Sequence, residues 1–136
     1  MFLLDTNVVS ELRRGQRAHE AVRRWNAGVP LDDCWLSAVT MFELRLGSLL
    51  KQRRDPEQGA VLLAWIAQIE AAFAGRIADV TVEEWTRCAD LHVPDPRPLR
   101  DSLLAAAAIH RRLTLVTRNT RDFVGMPVPL VDPWSA

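Results

Sequence analysis

Lysine is nearly missing from this chain. Lys51 is the only one among 17 basic residues, and the remaining positive charge is arginine. Arginine suits bidentate phosphate contacts, and genomic base composition explains the same bias without any function. No charge of one sign prevails either, because 17 acidic residues bring the formal net charge to zero over 136 residues. A basic excess that would announce a nucleic-acid coat, and an acidic solvating tail, are both excluded. The two cysteines, Cys34 and Cys88, stand far apart with no CxxC or Cys/His spacing. That excludes a disulfide framework and a thiolate zinc site, and leaves two small hydrophobes in a reducing cytosol. No basic segment followed by a long apolar stretch opens the sequence, so no signal peptide is expected. The longest apolar run, "LLAAAAI", is too short to cross a bilayer. A cytoplasmic protein with no membrane contact is the expectation.

What is present alternates. "FLLD" reads as a short buried strand, followed by a helix from about Val8 to Arg14 that stops at Gly15. A helix over about Arg17–Asn26 ends at Gly28, "CWLS" is a candidate strand, and Ala38–Arg53 is helical. "PEQGAVLLAWIAQIEAAFAG" carries proline at its start and glycine at its end, the usual punctuation of a helix. "RIADV" is strand-like, and Thr81 followed by Glu84 forms a capping-box pattern ahead of another helix. The loop "VPDPRP" leads into a helix over Asp101–Arg112, "LTLVT" is the clearest strand, and "VPLVD" a weaker last one. With no repeats and no linker, residues 1–136 form one domain of α/β class with a mostly parallel sheet.

Four acids stand out. Ligands of open α/β sheets sit beyond the carboxyl ends of the strands. Asp5 ends "FLL", and Asp122 follows "LTLVT" within "RNTRD", so neighbouring parallel strands bring both to one rim. Each alone is more commonly a helix N-cap. Glu43 shares a helical face with Val39, Leu46 and Leu50, an otherwise apolar stripe, with Gly47 one turn on leaving room. A carboxylate pointing inward from such a stripe needs a metal or a salt bridge, with Arg45 or Arg118 as partner. Asp101 opens an alanine-rich helix, where the helix dipole favours an acid in any case. Carboxylates brought within a few ångströms of one another repel, and a hard divalent cation with oxygen ligands resolves this. Thr6 and Asn119 are suited to orienting water around such an ion. His19, His92 and His110 share no spacing and read as surface or core residues.

The segments "LLDTNVVSEL", "SAVTMFELRLG", "DSLLAAAA" and "LVTRNTRDF", in this order, resemble the PIN-domain ribonucleases, specifically the VapC/FitB-like toxins of type II toxin–antitoxin systems. The resemblance runs along the whole chain. It implies a PIN-like α/β/α sandwich with a central parallel sheet. It also implies an acidic site of Asp5, Glu43, Asp101 and Asp122, dependence on Mg²⁺ or Mn²⁺, and endonucleolytic cleavage of RNA. Thr6 and Asn119 match accessory polar positions of the family. A homodimer and a cognate antitoxin covering the site, often with a basic side chain among the acids, are implied as well. Arg13, Arg14, Arg118 and Arg121 are candidates for RNA contact near the rim, with a solvated surface as their plain alternative. The helix with Leu62, Trp65, Ile66, Ile69 and Phe73 on one face is broadened by Val61 and Leu63, which suggests an added contact surface with Trp25 or Trp35 as contributors. A catalytically silent RNA- or protein-binding PIN domain and a DNA-directed metal nuclease are the alternatives. A haloacid-dehalogenase-type phosphatase needs an aspartate where Asn7 stands, a P-loop GxxxxGK(S/T) is missing, and a receiver domain's acidic cluster and lysine are missing too.

Overall fold

A computed structural model describes residues 1–136. The strands are β1 (Phe2–Leu4), β2 (Cys34–Ser37), β3 (Ile77–Ala78), β4 (Thr114–Val116) and β5 (Leu130–Val131). The helices are α1 (Thr6–Leu12), α2 (Glu20–Ala27), α3 (Ala38–Arg54), α4 (Pro56–Ala72), α5 (Val82–Leu91) and α6 (Leu99–Arg111). All strand pairings are parallel, in the order β3-β2-β1-β4-β5. β1 is therefore central, and the direction of winding reverses between it and β4, where Leu4 stands opposite Val116. This is the place in a doubly wound sheet where a crevice opens at the carboxyl ends of the strands.

Parallel strands covered on both faces carry apolar residues without interruption. Period two then divides them. Leu3 and Leu115 join Leu104, Ala105 and Ala108 of α6 in one core, while Leu4, Val116, Cys34 and Leu36 join Val8, Leu44 and Ile66 in the other. The alanines of α6 are buried because small side chains let the helix lie close on the sheet. Trp25 packs edge-on against Phe2 at 5.5 Å, and Trp35 packs against the α6 side, so both serve the core.

Local signals hold where they are chemical. Thr81 Oγ1 accepts from Glu84 N at 3.2 Å and Glu84 Oε2 accepts from Thr81 N at 3.1 Å, the reciprocal capping box. Asp55 caps α4, with Pro56 at its first position. α2 begins later than its apolar spacing predicts, because Gly15–Arg17 form a 3-10 turn and His19 Nδ1 accepts from Ala21 N as the cap.

The face of α3 differs from the expectation. Its buried stripe is Thr40, Leu44 and Ser48, while Phe42, Leu46, Leu49 and Leu50 are exposed. α3 and α4 come very close near their junction, where a β-carbon at Gly59 would lie 2.3 Å from Gln52 Cα. Leu44 of α3 shares a core cluster with Ile66 of α4, and part of the apolar side of α3 faces outward. Gly47 has open space around it and opens no internal cavity.

Candidate active site

The apolar "FLL" of β1 enters the core and delivers Asp5, fully buried, to the sheet's carboxyl rim. Two backbone requirements meet there. Asp5 is the N-cap of α1, its Oδ1 accepting from Thr6 N at 2.6 Å, so the plain N-cap reading of this acid also holds. Its own N–H donates to Val116 O at 2.9 Å, which continues the ladder with β4. Asp5 Oδ2 accepts from Thr117 Oγ1 at 2.8 Å and, at 3.5 Å, from Asn7 Nδ2. A buried carboxylate has to be satisfied in this way.

Glu43 reaches the same place from α3. Its Oε1 accepts from Thr6 Oγ1 at 2.9 Å, so one threonine orients two acids, by its amide and by its hydroxyl. Asp101 reaches it from the first turn of α6. Between the three lies a residue that sequence reasoning missed, Arg100. Its Nε donates to Glu43 Oε1 at 2.6 Å, its Nη1 to Asp101 Oδ1 at 2.6 Å, and its Nη2 to Asp5 Oδ1. Burial alone would pull the Arg100 pKa down. The Asp5 charge and the hydrogen bonds to Glu43, Asp101 and Asp5 outweigh it and push the group well above the usual arginine range. Glu43 is thus salt-bridged as one of its two readings required, with Arg100 as partner in place of Arg45 or Arg118. Three carboxylates face one guanidinium, so the cluster stays net anionic.

Asp122 stands apart. It lies on the 3-10 turn Thr120–Phe123, exposed, and its side chain bonds to none of the other acids. Asn119 precedes that turn, its N–H donating to Thr117 Oγ1 at 3.1 Å and its side chain exposed. Thr117 is therefore the link between Asp5 and the segment bearing Asp122. Asn7 adds a second link, its Oδ1 accepting from Arg118 N at 3.3 Å. Neither Thr117 nor Asn7 was singled out from the sequence for this site. The signal for Thr117 was register, since a polar residue after "LTLV" falls beside the one after "FLL" once the two strands pair.

The donor set tests the expected metal. Asp5, Glu43 and Asp101 offer hard carboxylate oxygens that already converge on a cation, which suits Mg²⁺ or Mn²⁺. With the guanidinium between them, however, no three acidic, histidine or cysteine side chains form a ready ligand cluster. The chemistry fits a divalent ion, and the present packing is closed around Arg100.

The arginines expected at the rim divide. Arg118 lies over Trp134, 5.2 Å from the ring centroid, and Arg121 is exposed on the turn bearing Asp122. Arg13 and Arg14 follow the C-terminus of α1, about 10 Å along the helix from the end that Asp5 caps. They are not at the acid rim. With Arg17 and Trp65 they line a separate cleft of about 600 Å³, Arg13 lying 5.6 Å from the Trp65 centroid. Beside the acids runs another groove, of about 580 Å³, with Phe42, Leu46, Trp85 and Leu103 on its walls and Glu43 and Arg100 at its edge.

The family model for the PIN domain matches residues 2–127. Toxin FitB of Neisseria gonorrhoeae is 31% identical over 144 residues, covering 98% of this chain and 99% of that protein. A VapC ribonuclease of Sinorhizobium fredii is 28% identical over 142 residues, covering 98% of each. The crystal structure of FitAcB from Neisseria gonorrhoeae superposes with a TM-score of 0.90 at 34% identity, over 100% of both chains. With its parallel sheet, its acids at the switch between β1 and β4, and likeness along its full length, the chain belongs to the PIN-domain family, among the FitB- and VapC-like proteins.

Proposed function

We propose that this chain is a Mg²⁺- or Mn²⁺-dependent endoribonuclease that acts as the toxin of a type II toxin–antitoxin pair. One observation carries the reading: three carboxylates from three separate elements, Asp5, Glu43 and Asp101, converge on a single cation at the rim of the central strand. A fold that needed only a core would not gather buried and half-buried acids there. The names of its relatives, a toxin and a ribonuclease, point the same way.

In this reading Asp5, Glu43 and Asp101 hold the metal, and Asp122 joins them from the exposed turn after β4. The ion, when bound, neutralises charge developing on the phosphodiester and makes water a better nucleophile. The protein's share is placement. Thr6 N–H and Thr117 Oγ1 fix Asp5 in one orientation, and the Thr6 hydroxyl fixes Glu43, so the acids need no reorganisation at the moment of reaction. In the same reading Asn119 and Asp122, on the segment after β4, would orient the attacking water and receive its proton. Arg118 and Arg121, on the same rim, contact the RNA backbone, and shape rather than a base code sets the choice of RNA.

The partners follow from the surface. Phe42, Leu46, Trp85 and Leu99 are exposed around the groove beside the acids. An apolar lining next to a charged site suits an antitoxin segment that covers both. A homodimer in the cytoplasm completes the proposal.

Cleavage of total cellular RNA by purified wild type and Asp5→Asn, each with Mg²⁺, with Mn²⁺ and with EDTA, tests it. Discrete metal-dependent cuts are expected from the wild type alone. A folded wild type that cuts no RNA under any condition would leave a binding-only domain, or a DNA substrate, as the better description.

A further inference from the structure

We propose that Arg100 is the resident counter-ion of the acid cluster and that it leaves the cluster when a divalent cation enters, so that metal loading is an exchange of one cation for another. This rests on the metal-dependent reading above and goes beyond it, because it gives the metal-free and metal-loaded sites different occupants.

The geometry is one of full use. Nε, Nη1 and Nη2 of Arg100 each take a different carboxylate, Glu43, Asp101 and Asp5. A divalent ion requires those same oxygens at about 2.1 Å. A guanidinium held on them at 2.6 Å by Nε and Nη1 fills the space between the acids and repels a second cation. The two occupants are mutually exclusive.

The position of Arg100 makes the same point from the side of the helix. It is the second residue of α6, within the first turn. The amide groups there present positive potential, which favours Asp101 and opposes a cation. The side chain also gives up most of its water, being about one-third exposed. The three carboxylates offset both costs, so Arg100 is held mainly by the charge that a divalent ion would largely offset. Once an ion takes those oxygens, Asp101 included, no other acceptor on α6 holds the guanidinium in place.

An exit is at hand. Arg100 lies at the edge of the groove whose walls include the exposed rings of Phe42 and Trp85. An arginine released from carboxylates finds aromatic faces and water there, both favourable surroundings for a guanidinium. Released in that direction it remains beside the acids, within reach of an anionic substrate.

Mn²⁺ titration of the metal-free full chain by calorimetry, wild type against Arg100→Met, is the test. The variant is expected to bind Mn²⁺ about tenfold tighter or more, since charge-assisted hydrogen bonds no longer compete, and to melt lower without metal. Arg45→Met, an exposed arginine outside the cluster, should leave Mn²⁺ binding unchanged. Equal or weaker binding by Arg100→Met than by wild type overturns the exchange and leaves the metal site standing. No Mn²⁺ binding by either protein overturns the metal-dependent reading and the exchange with it. The Arg100 Nε–H resonance of the wild type answers without any variant, and it separates displacement from simple charge repulsion. It should be protected without metal and move to the position of a solvent-exposed arginine as Mg²⁺ saturates. A protected signal that persists at saturating Mg²⁺ overturns the proposal.

Discussion

Replacing Asp5 by asparagine separates two accounts of the acid cluster before any RNA is added. If the carboxylates of Asp5, Glu43 and Asp101 simply repelled one another without metal, neutralising one would raise the melting temperature of the metal-free protein. The structure argues for the opposite. Asp5 is fully buried and receives Thr6 N at 2.6 Å, Thr117 Oγ1 at 2.8 Å and Arg100 Nη2. Asparagine keeps one acceptor oxygen and turns the other position into a donor. The Thr117 hydroxyl can rotate to accept from that donor, but its own hydrogen then loses the carboxylate. The bonds from Thr6 and Arg100 change from charge-assisted to neutral acceptance, each a loss of roughly 1 kcal/mol. The weakened ion pair to a partly exposed Arg100 and the displaced Thr117 hydrogen bring the total to about 2–3 kcal/mol. For a domain of this size that is a fall of roughly 10 °C, and a stability of about 5–15 kcal/mol survives it. Calorimetric melts in EDTA check the figure, and RNA cleavage by the folded variant should be lost. A melting temperature equal to or above that of the wild type would refute the claim that donors, rather than a metal, satisfy Asp5.

Glu43→Gln, which weakens the partly exposed contact to Arg100 and the bond from the Thr6 hydroxyl, should cost about 1 kcal/mol in the same metal-free melt, and unchanged stability would show the pair to be idle. Gly59→Ala should destabilise by about 1–3 kcal/mol despite alanine's higher helix propensity, because its β-carbon would meet the Gln52 backbone; a more stable variant by urea titration would mean that α3 and α4 are not in that contact. The Glu11 carboxylate accepts from His19 N at 2.9 Å; that bond, against a smaller opposing effect of burial and with help from Arg14, holds its pKa below the ordinary 4.5. A lowered carboxylate pKa stabilises the fold above the unfolded value, and that stability is lost as pH falls through the folded value. Urea midpoints of the wild type should therefore drop more steeply than those of Glu11→Gln as pH falls below about 4.5, and parallel profiles would remove this residue from the account.

Much of the fold is legible in the sequence because its signals are local. "FLL" and "LTLV" are apolar without a break since parallel central strands are covered on both faces, and the capping box at Thr81 and Glu84 needs only four residues to be recognised. α3 is less legible, because apolar side chains lie on more than one of its faces and periodicity cannot say which face α4 will cover. At the site, Asp5 and Glu43 announce themselves as acids in apolar surroundings. Arg100 does not. A basic residue next to Asp101 reads as a solvated pair, and only the tertiary approach of the first turn of α6 to Asp5 and Glu43 turns it inward. Arg13 and Arg14 mislead for a related reason: they are close to Asp5 in sequence, and a helix carries them to its far end.

The sheet also sets an order in time. Its central strand is made well before one of its two neighbours, β4, which follows 112 residues later, Phe2 pairing with Thr114. At a synthesis rate of about 5–20 residues per second, β1 waits roughly 6–20 s with one edge open. Until Thr117 emerges, Asp5 lacks that hydroxyl, and until α6 emerges it lacks Arg100 as well. A growing chain on the ribosome therefore carries Asp5 and Glu43 before the rest of their site exists, and the rim closes only after α6 and β4 have followed.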